Sequence, residues 1–259
     1  MTLDSTVAPA AQTASGLPLA GTTVVVVGGT SGMGRAAAEA AAQAGADVVV
    51  AGRRAAADRP AIEAGAGSVR HATVDNGDES SVKALYAEVG QLDHLLVTAA
   101  PAPGTWGPLL AQDLAGAREY VDGKLFGSWL NARYAAEKLR PGGSITFITG
   151  CNVIRPVAGM AMVAAAYGAV EAMTPALALE LSPSRVNTIR PGLVDSDMWD
   201  AMPAEVKDDI FGKARSRFPV GRTGTPQDIG GAALFLMTNT YVTGTVLEVS
   251  GGEPLVSLG

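Results

Sequence analysis

The chain has 259 residues, 47% hydrophobic and 17% charged, enough to bury one large core in a single α/β domain. Its formal charge of -6 argues against a nucleic-acid surface, which needs clustered Lys and Arg in a basic balance. Cys151 is the only cysteine, which excludes an intrachain disulfide and a cysteine-rich zinc site and fits a reducing, cytoplasmic setting.

Residues 1–20 contain neither Lys nor Arg and no sustained apolar core, so they read as a disordered tail rather than a secretory signal. A single domain is expected over 21–259, and no membrane span is expected; the most apolar segment, 157–181, carries Glu171 and Glu180 and reads as a buried helix. The β-branched run 23–27 ends in glycines and is followed by an alanine-rich helical stretch over 35–44, closed by Gly45. Further apolar runs occur at 47–51, 69–74, 92–97, 144–149, 186–189 and 245–249, bounded by Gly, Pro, Asp or Asn and mostly separated by helical patterns. Runs that are apolar throughout suit strands covered on both faces. The expected fold is therefore α/β, a single-domain Rossmann-type doubly wound parallel sheet of about seven strands with helices on both faces.

The segment 195–220 breaks this rhythm and is the expected substrate lid, carrying Met198, Trp199, Met202, Phe211 and Phe218 among charged residues. The alternative is that these side chains cover the core or face a neighbouring subunit. Helices over 113–139 and 160–181 look apolar on more than one face and predict a homodimer or homotetramer, with Pro175 a possible kink in the second.

Gly28, Gly29, Thr30, Ser31, Gly32, Met33 and Gly34 form a glycine-rich turn between a strand and a helix. Missing side chains there let a pyrophosphate approach the backbone and the helix N-terminal N–H groups, and the hydroxyls of Thr30 and Ser31 offer further contacts. About 20 residues on, NAD sites place an acid on the ribose, whereas NADP sites place arginine near the 2′-phosphate. This chain has Gly52, Arg53 and Arg54, which favours NADP(H) over NAD(H) unless the arginines are merely solvated.

From Gly21 to Gly252 the order of motifs resembles the short-chain dehydrogenase/reductase family. Gly28, Gly32 and Gly34 match its glycine turn, and Asp75 matches the acid that contacts adenine. Pro191, Gly192, Val194 and Ser196 resemble the segment that contacts the nicotinamide carboxamide, and Gly221-Arg222, 226–229, 242–244 and Gly251-Gly252 follow the C-terminal pattern. The chain departs from the family in the middle. Thr98, Ala99, Ala100 and Pro101 stand where members carry Asn-Asn-Ala-Gly, which alters the wall that Ala99 offers the adenosine. Tyr167 is followed one turn later by Glu171 instead of lysine, and aligning the helix end at 176–181 puts Val163 at the family tyrosine and Tyr167 at its lysine. Gly150 then takes the serine position and Lys124 the asparagine position, so all four standard catalytic positions are substituted.

Val163 cannot donate a proton, but Tyr167 lies one turn along the same helix face, about 6 Å away. Lys124 would restore an ammonium beside that phenol, and the pair Lys124 and Tyr167 is the predicted catalyst. Alternatively, Tyr167 contacts the cofactor ribose or only packs, and Lys124 forms an ion pair with Asp122 or Glu171. Thr149, Cys151 and Asn152 flank Gly150 and, with Met198 and Trp199, are candidate substrate contacts; no histidine is placed to activate Cys151. His71 and His94 lie on strands away from the ligand end, so no metal site is expected. The resulting expectation is an NADP(H)-dependent oxidoreductase acting on a small organic carbonyl, imine or activated alkene. The alternatives are dinucleotide binding without catalysis, or non-redox chemistry on the same scaffold.

Overall fold

A computed structural model describes residues 16–53, 61–99, 106–200 and 202–256. Seven strands, β1 Thr23–Val27, β2 Asp47–Gly52, β3 Ser68–Thr73, β4 Leu92–Val97, β5 Leu139–Ile148, β6 Arg185–Pro191 and β7 Val246–Val249, form one sheet in the order β3-β2-β1-β4-β5-β6-β7. Every pairing is parallel. The helices are α1 Gly32–Gln43, α2 Glu79–Val89, α3 Leu114–Val121, α4 Gly127–Ala136, α5 Ala161–Glu180, α6 Ala204–Arg217 and α7 Pro226–Thr238.

The all-valine β1 shows why the strands are apolar throughout. Val24 and Val26 pack on one face with Ala37, Ala41, Ile229 and Leu236 of α1 and α7, whereas Val25 and Val27 pack on the other with Val82, Leu130 and Val170 of α2, α4 and α5. Both faces are covered, so alternation with polar residues has no place. The chain runs outward from β1 to β2 and β3, then returns to β4 on the other side. Crevices for ligands open at the carboxyl ends of strands beside such a reversal, here those of β1 and β4.

Three boundaries differ from the sequence reading. The expected tail stops short of residue 20: Leu19 is 2% exposed, donates its N–H to the Ala44 carbonyl and joins the core under α1, while residues 1–15 lie outside the described residues. Strand β5 begins at Leu139 rather than 144, because the Pro141-Gly142-Gly143 run that reads as a stop is carried through a register shift opposite Leu92 and His94. The helix expected over 113–139 ends at Ala136 and contains one π-helical turn, Asp122–Phe126. Helix α5 is long and apolar enough to cross a membrane by length and composition alone. It lies on the sheet instead, with Val170 in the core and the Thr174 hydroxyl tied to β6 through a 2.6 Å hydrogen bond with the Thr188 hydroxyl.

Candidate active site

The glycine turn follows β1 directly. At Gly34 a Cβ would collide with the Gly28 carbonyl and stand 2.5 Å from the Thr98 hydroxyl, so this glycine serves close packing of α1 against the β1 and β4 ends. Gly32 has a positive φ of 51°, and its missing Cβ faces Ser196 at 3.6 Å, which brings the turn and the segment after β6 to either side of one cleft. Ser31 stands at the N-cap of α1 without capping it, and the first turn holds no acidic residue. Its N–H donors therefore face the cleft without a side-chain acceptor from the cap position, a fit for a pyrophosphate.

Thr30 packs against Gly52 at the end of β2, and Arg53 follows there, exposed. Arg54 lies outside the described residues. Asp75 is exposed past β3, with one carboxylate oxygen fixed by the Gly77 N–H at 3.0 Å. Ala99 accepts nothing from the glycine turn but donates its N–H to the Val27 carbonyl, which sets it beside Gly28. Pro191 and Val194 are buried, Gly192 is half-buried, and a parallel bridge from Val194 to Gly224 anchors the segment that leads to Ser196.

Lys124 projects from the π turn into the interior, 1% exposed. Its Nζ lies 3.4 Å from the Ala99 carbonyl and 5.3 Å from the ring centroid of Tyr167. Among the described residues it has no carboxylate partner, so neither Asp122 nor Glu171 neutralises it. Burial alone pushes its ammonium down to about 7. Burial pushes the Tyr167 phenol up, partly offset by a hydrogen bond from Tyr120. Tyr120, buried on α3 one turn before Lys124, was not singled out by sequence; its ring is 6.5 Å from that of Tyr167, and its own phenol is raised by burial and by that contact.

The π turn has an internal brace. Asn76, after β3, donates its amide to the Gly123 carbonyl at 2.7 Å, and Asn131 of α4 in turn donates to Asn76 and to the Gly127 carbonyl. The Tyr86 hydroxyl closes the chain by donating to Asn131 at 2.7 Å. A side chain at Gly127 would collide with the Asn76 amide, so the glycine is what admits the brace. Helical irregularities of this kind recur at functional sites.

Around Gly150 the candidates diverge. The Thr149 hydroxyl is buried and donates to Glu171 at 2.8 Å, and Glu171 also receives both Nε and Nη2 of Arg190, at 3.0 and 2.5 Å. Thr149 is thus engaged in a structural network. Cys151 is 5% exposed, and burial with Glu253 nearby pushes its thiol up to about 12, so it stays protonated. Asn152 is different: its amide nitrogen and oxygen are both buried, and neither has a hydrogen-bond partner among the described residues.

In the segment after β6, Trp199 donates to the Val194 carbonyl at 2.9 Å and meets Trp106 at a tilt, 6.1 Å away, and Phe211 edge-on, 5.7 Å away. Met198 is 50% exposed. Phe211 and Phe218 are buried, Phe211 against the Trp199 ring. The C-terminal family motif is structural: Thr225 and Asp228 form a capping box on α7, and Arg222 clamps Asp228 through bonds of 2.7 and 2.8 Å. His94 is likewise buried, bonded to Ser144 at 2.8 Å near the amino end of the sheet.

A family model described as enoyl-(acyl carrier protein) reductase matches residues 27–253. Short-chain dehydrogenase/reductase ATR9 of Stachybotrys chlorohalonatus is 30% identical over 257 residues, covering 90% of this chain and 96% of that protein. A crystal structure of a small-chain dehydrogenase in complex with NADPH superposes with a TM-score of 0.78 at 35% identity, covering 91% of this chain and 99% of the other. The MalC reductase/Diels-Alderase from Malbranchea aurantiaca superposes with a TM-score of 0.82 at 26% identity, covering 93% and 99%. Parallel sheet, glycine turn and these matches together place the chain in the short-chain dehydrogenase/reductase family of oxidoreductases.

Proposed function

We propose that the protein is an NADP(H)-dependent oxidoreductase that acts on a small organic carbonyl, imine or activated alkene with a rearranged catalyst built from Lys124 and Tyr167. Bound NADPH supplies the hydride. The turn from Gly28 to Gly34 and the α1 N-terminus would hold the pyrophosphate, Arg53 and Arg54 would supply the cations for the 2′-phosphate, and Asp75 and Ala99 would serve the adenosine. Pro191, Gly192, Val194 and Ser196 take the carboxamide side. The NADPH complex of the small-chain dehydrogenase relative supports this choice of cofactor.

One observation carries the catalytic reading: a lysine 1% exposed, unpaired by any described carboxylate and pushed down to about 7, beside a phenol at the cleft. A group poised near neutral pH is a better acid and base there than a phenol raised by burial. In reduction of a carbonyl, the Lys124 ammonium donates a proton to the oxygen as it gains negative charge, and the neutral amine is reloaded from solvent. Tyr167, held by Tyr120, orients the oxygen by hydrogen bonding and keeps its own proton.

The absence of a hydroxyl at Gly150 and Val163 favours a second reading, non-redox chemistry or binding without turnover. Titration with NADPH and NADH, followed by a carbonyl and imine panel, separates them: substrate-dependent NADPH oxidation is the expected result, and product formation or binding with NADPH unchanged would overturn the first reading.

The protein is also proposed to act as a homodimer or homotetramer in the cytoplasm. Leu114, Phe126, Trp129 and Leu179 are exposed on α3 to α5, and a hollow of about 340 Å³ lined by Leu114, Val121, Phe126 and Met162 lies there rather than at the cofactor cleft. Light scattering after gel filtration is expected to give a mass of two or four chains; a monomer would contradict it.

A further inference from the structure

An amide whose nitrogen and oxygen are both buried without a partner is rare in a folded chain, because each group loses water and gains nothing. Asn152 holds such an amide. It sits at the active site: the missing Cβ of Gly150 would lie 3.3 Å from Asn152 Oδ1 and 2.9 Å from Cε2 of Tyr167, so amide and phenol ring border the same small space. Its neighbour Cys151 and the preceding Thr149 are accounted for, one by a protonated thiol and the other by Glu171. Among the described residues, nothing pairs with the Asn152 amide.

A second orphan lies close by. Trp106 packs on the cluster of Tyr120, Val163 and Ala166, as Tyr167 does, and its indole N–H is also buried without a partner among the described residues. Its ring meets that of Trp199 at a centroid distance of 6.1 Å and an interplanar angle of 50°, so the two offer an angled aromatic surface.

We infer that the cleft selects a planar, apolar substrate that carries a lactam, with the lactam N–H donated to Asn152 Oδ1 and its carbonyl accepting from Asn152 Nδ2. A cis-amide presents one donor and one acceptor side by side, the complement of a primary amide side chain. The ring system packs on Trp106 and Trp199, and the Trp106 N–H is left for a further oxygen on the substrate. The amide atoms are covered in the free protein, so the side chains around them shift as the substrate enters. This inference rests on the cleft being the substrate site of the proposed oxidoreductase.

Isatin, a planar lactam with an adjacent ketone, and N-methylisatin, which lacks only the N–H, are the probes. Binding is measured by calorimetry with the wild-type protein and with Asn152→Leu, and NADPH oxidation is followed separately with each probe. Leucine removes two groups that have no protein partner, so the variant is expected to fold at undiminished melting temperature. The wild type is expected to bind isatin at least about tenfold tighter than N-methylisatin, because a buried group built to pair with an N–H rejects the analogue that lacks it. Asn152→Leu is expected to bind both alike. No binding of isatin, equal binding of the two probes by the wild type, or a preference that survives in Asn152→Leu would overturn the inference. A binding preference without NADPH oxidation would leave it standing and overturn the oxidoreductase reading; oxidation with both probes and no preference would do the reverse.

Discussion

Gly150 and Tyr167 are sterically coupled: a Cβ on Gly150 would stand 2.9 Å from Cε2 of the tyrosine ring, closer than real Cβ contacts allow. The ring thus occupies the space that a side chain at residue 150 would need.

Placing a side chain at residue 150 without moving the ring is therefore expected to do harm. Gly150→Ser should lower stability by about 1–3 kcal/mol through overpacking and reduce turnover by displacing Tyr167. Urea unfolding and NADPH oxidation measure the two effects; a stable, more active variant would show that the ring yields freely.

Lys124 should make stability depend on pH in the alkaline range. Its folded-state value is about 7 against an ordinary 10.5, so between these limits the unfolded chain holds a proton that the folded chain has released. Stability then rises with pH across that window, and below it the cost of burying the ammonium is fully present. Lys124→Met is expected to remove this rise and to be the more stable protein near pH 7. Melting temperatures of both proteins across the window check it; parallel curves would place the charge elsewhere.

The brace behind the π turn predicts a positioning role for Asn76. Asn76→Leu leaves the Gly123 carbonyl unpaired and removes one partner of Asn131, which should cost about 2–3 kcal/mol. If the brace positions Lys124, the variant's pH–rate profile should also shift, which a purely structural defect would not cause.

At the other end of the cleft, Arg53→Glu should weaken NADPH binding at least about tenfold and leave NADH nearly untouched, because a carboxylate repels the 2′-phosphate that only NADPH carries. Equal loss for both cofactors would mean that Arg53 does not read that phosphate.

Much of the scaffold was legible in the residues. Valines on both faces of β1 and the glycine turn after it announce a parallel sheet and its crevice, because covered strands and phosphate-sized turns leave little choice of residue. That Val163 and Tyr167 share one face of a helix was legible too, since they stand one turn apart in a long apolar run that forms α5. What the sequence hid depends on long-range packing. Leu19 looks like tail until the Ala44 carbonyl receives its N–H, and Pro141-Gly142-Gly143 looks like a stop until β4 shifts register beside it. Tyr120 carries no motif, and only the π turn that follows it brings its phenol to Tyr167. The orphaned amide of Asn152 has no local signal at all, because being unpartnered is a property of the packed interior.

The catalytic role of Lys124 and Tyr167 is tested most directly by kcat/KM for NADPH oxidation across pH in the wild type, Lys124→Met and Tyr167→Phe. The expected result is a wild-type profile with a limb near 7 that disappears in Lys124→Met, with a rate loss of about 10²–10⁴-fold, and a smaller loss with the limb retained in Tyr167→Phe. Wild-type rates and an unchanged limb in both variants would contradict it.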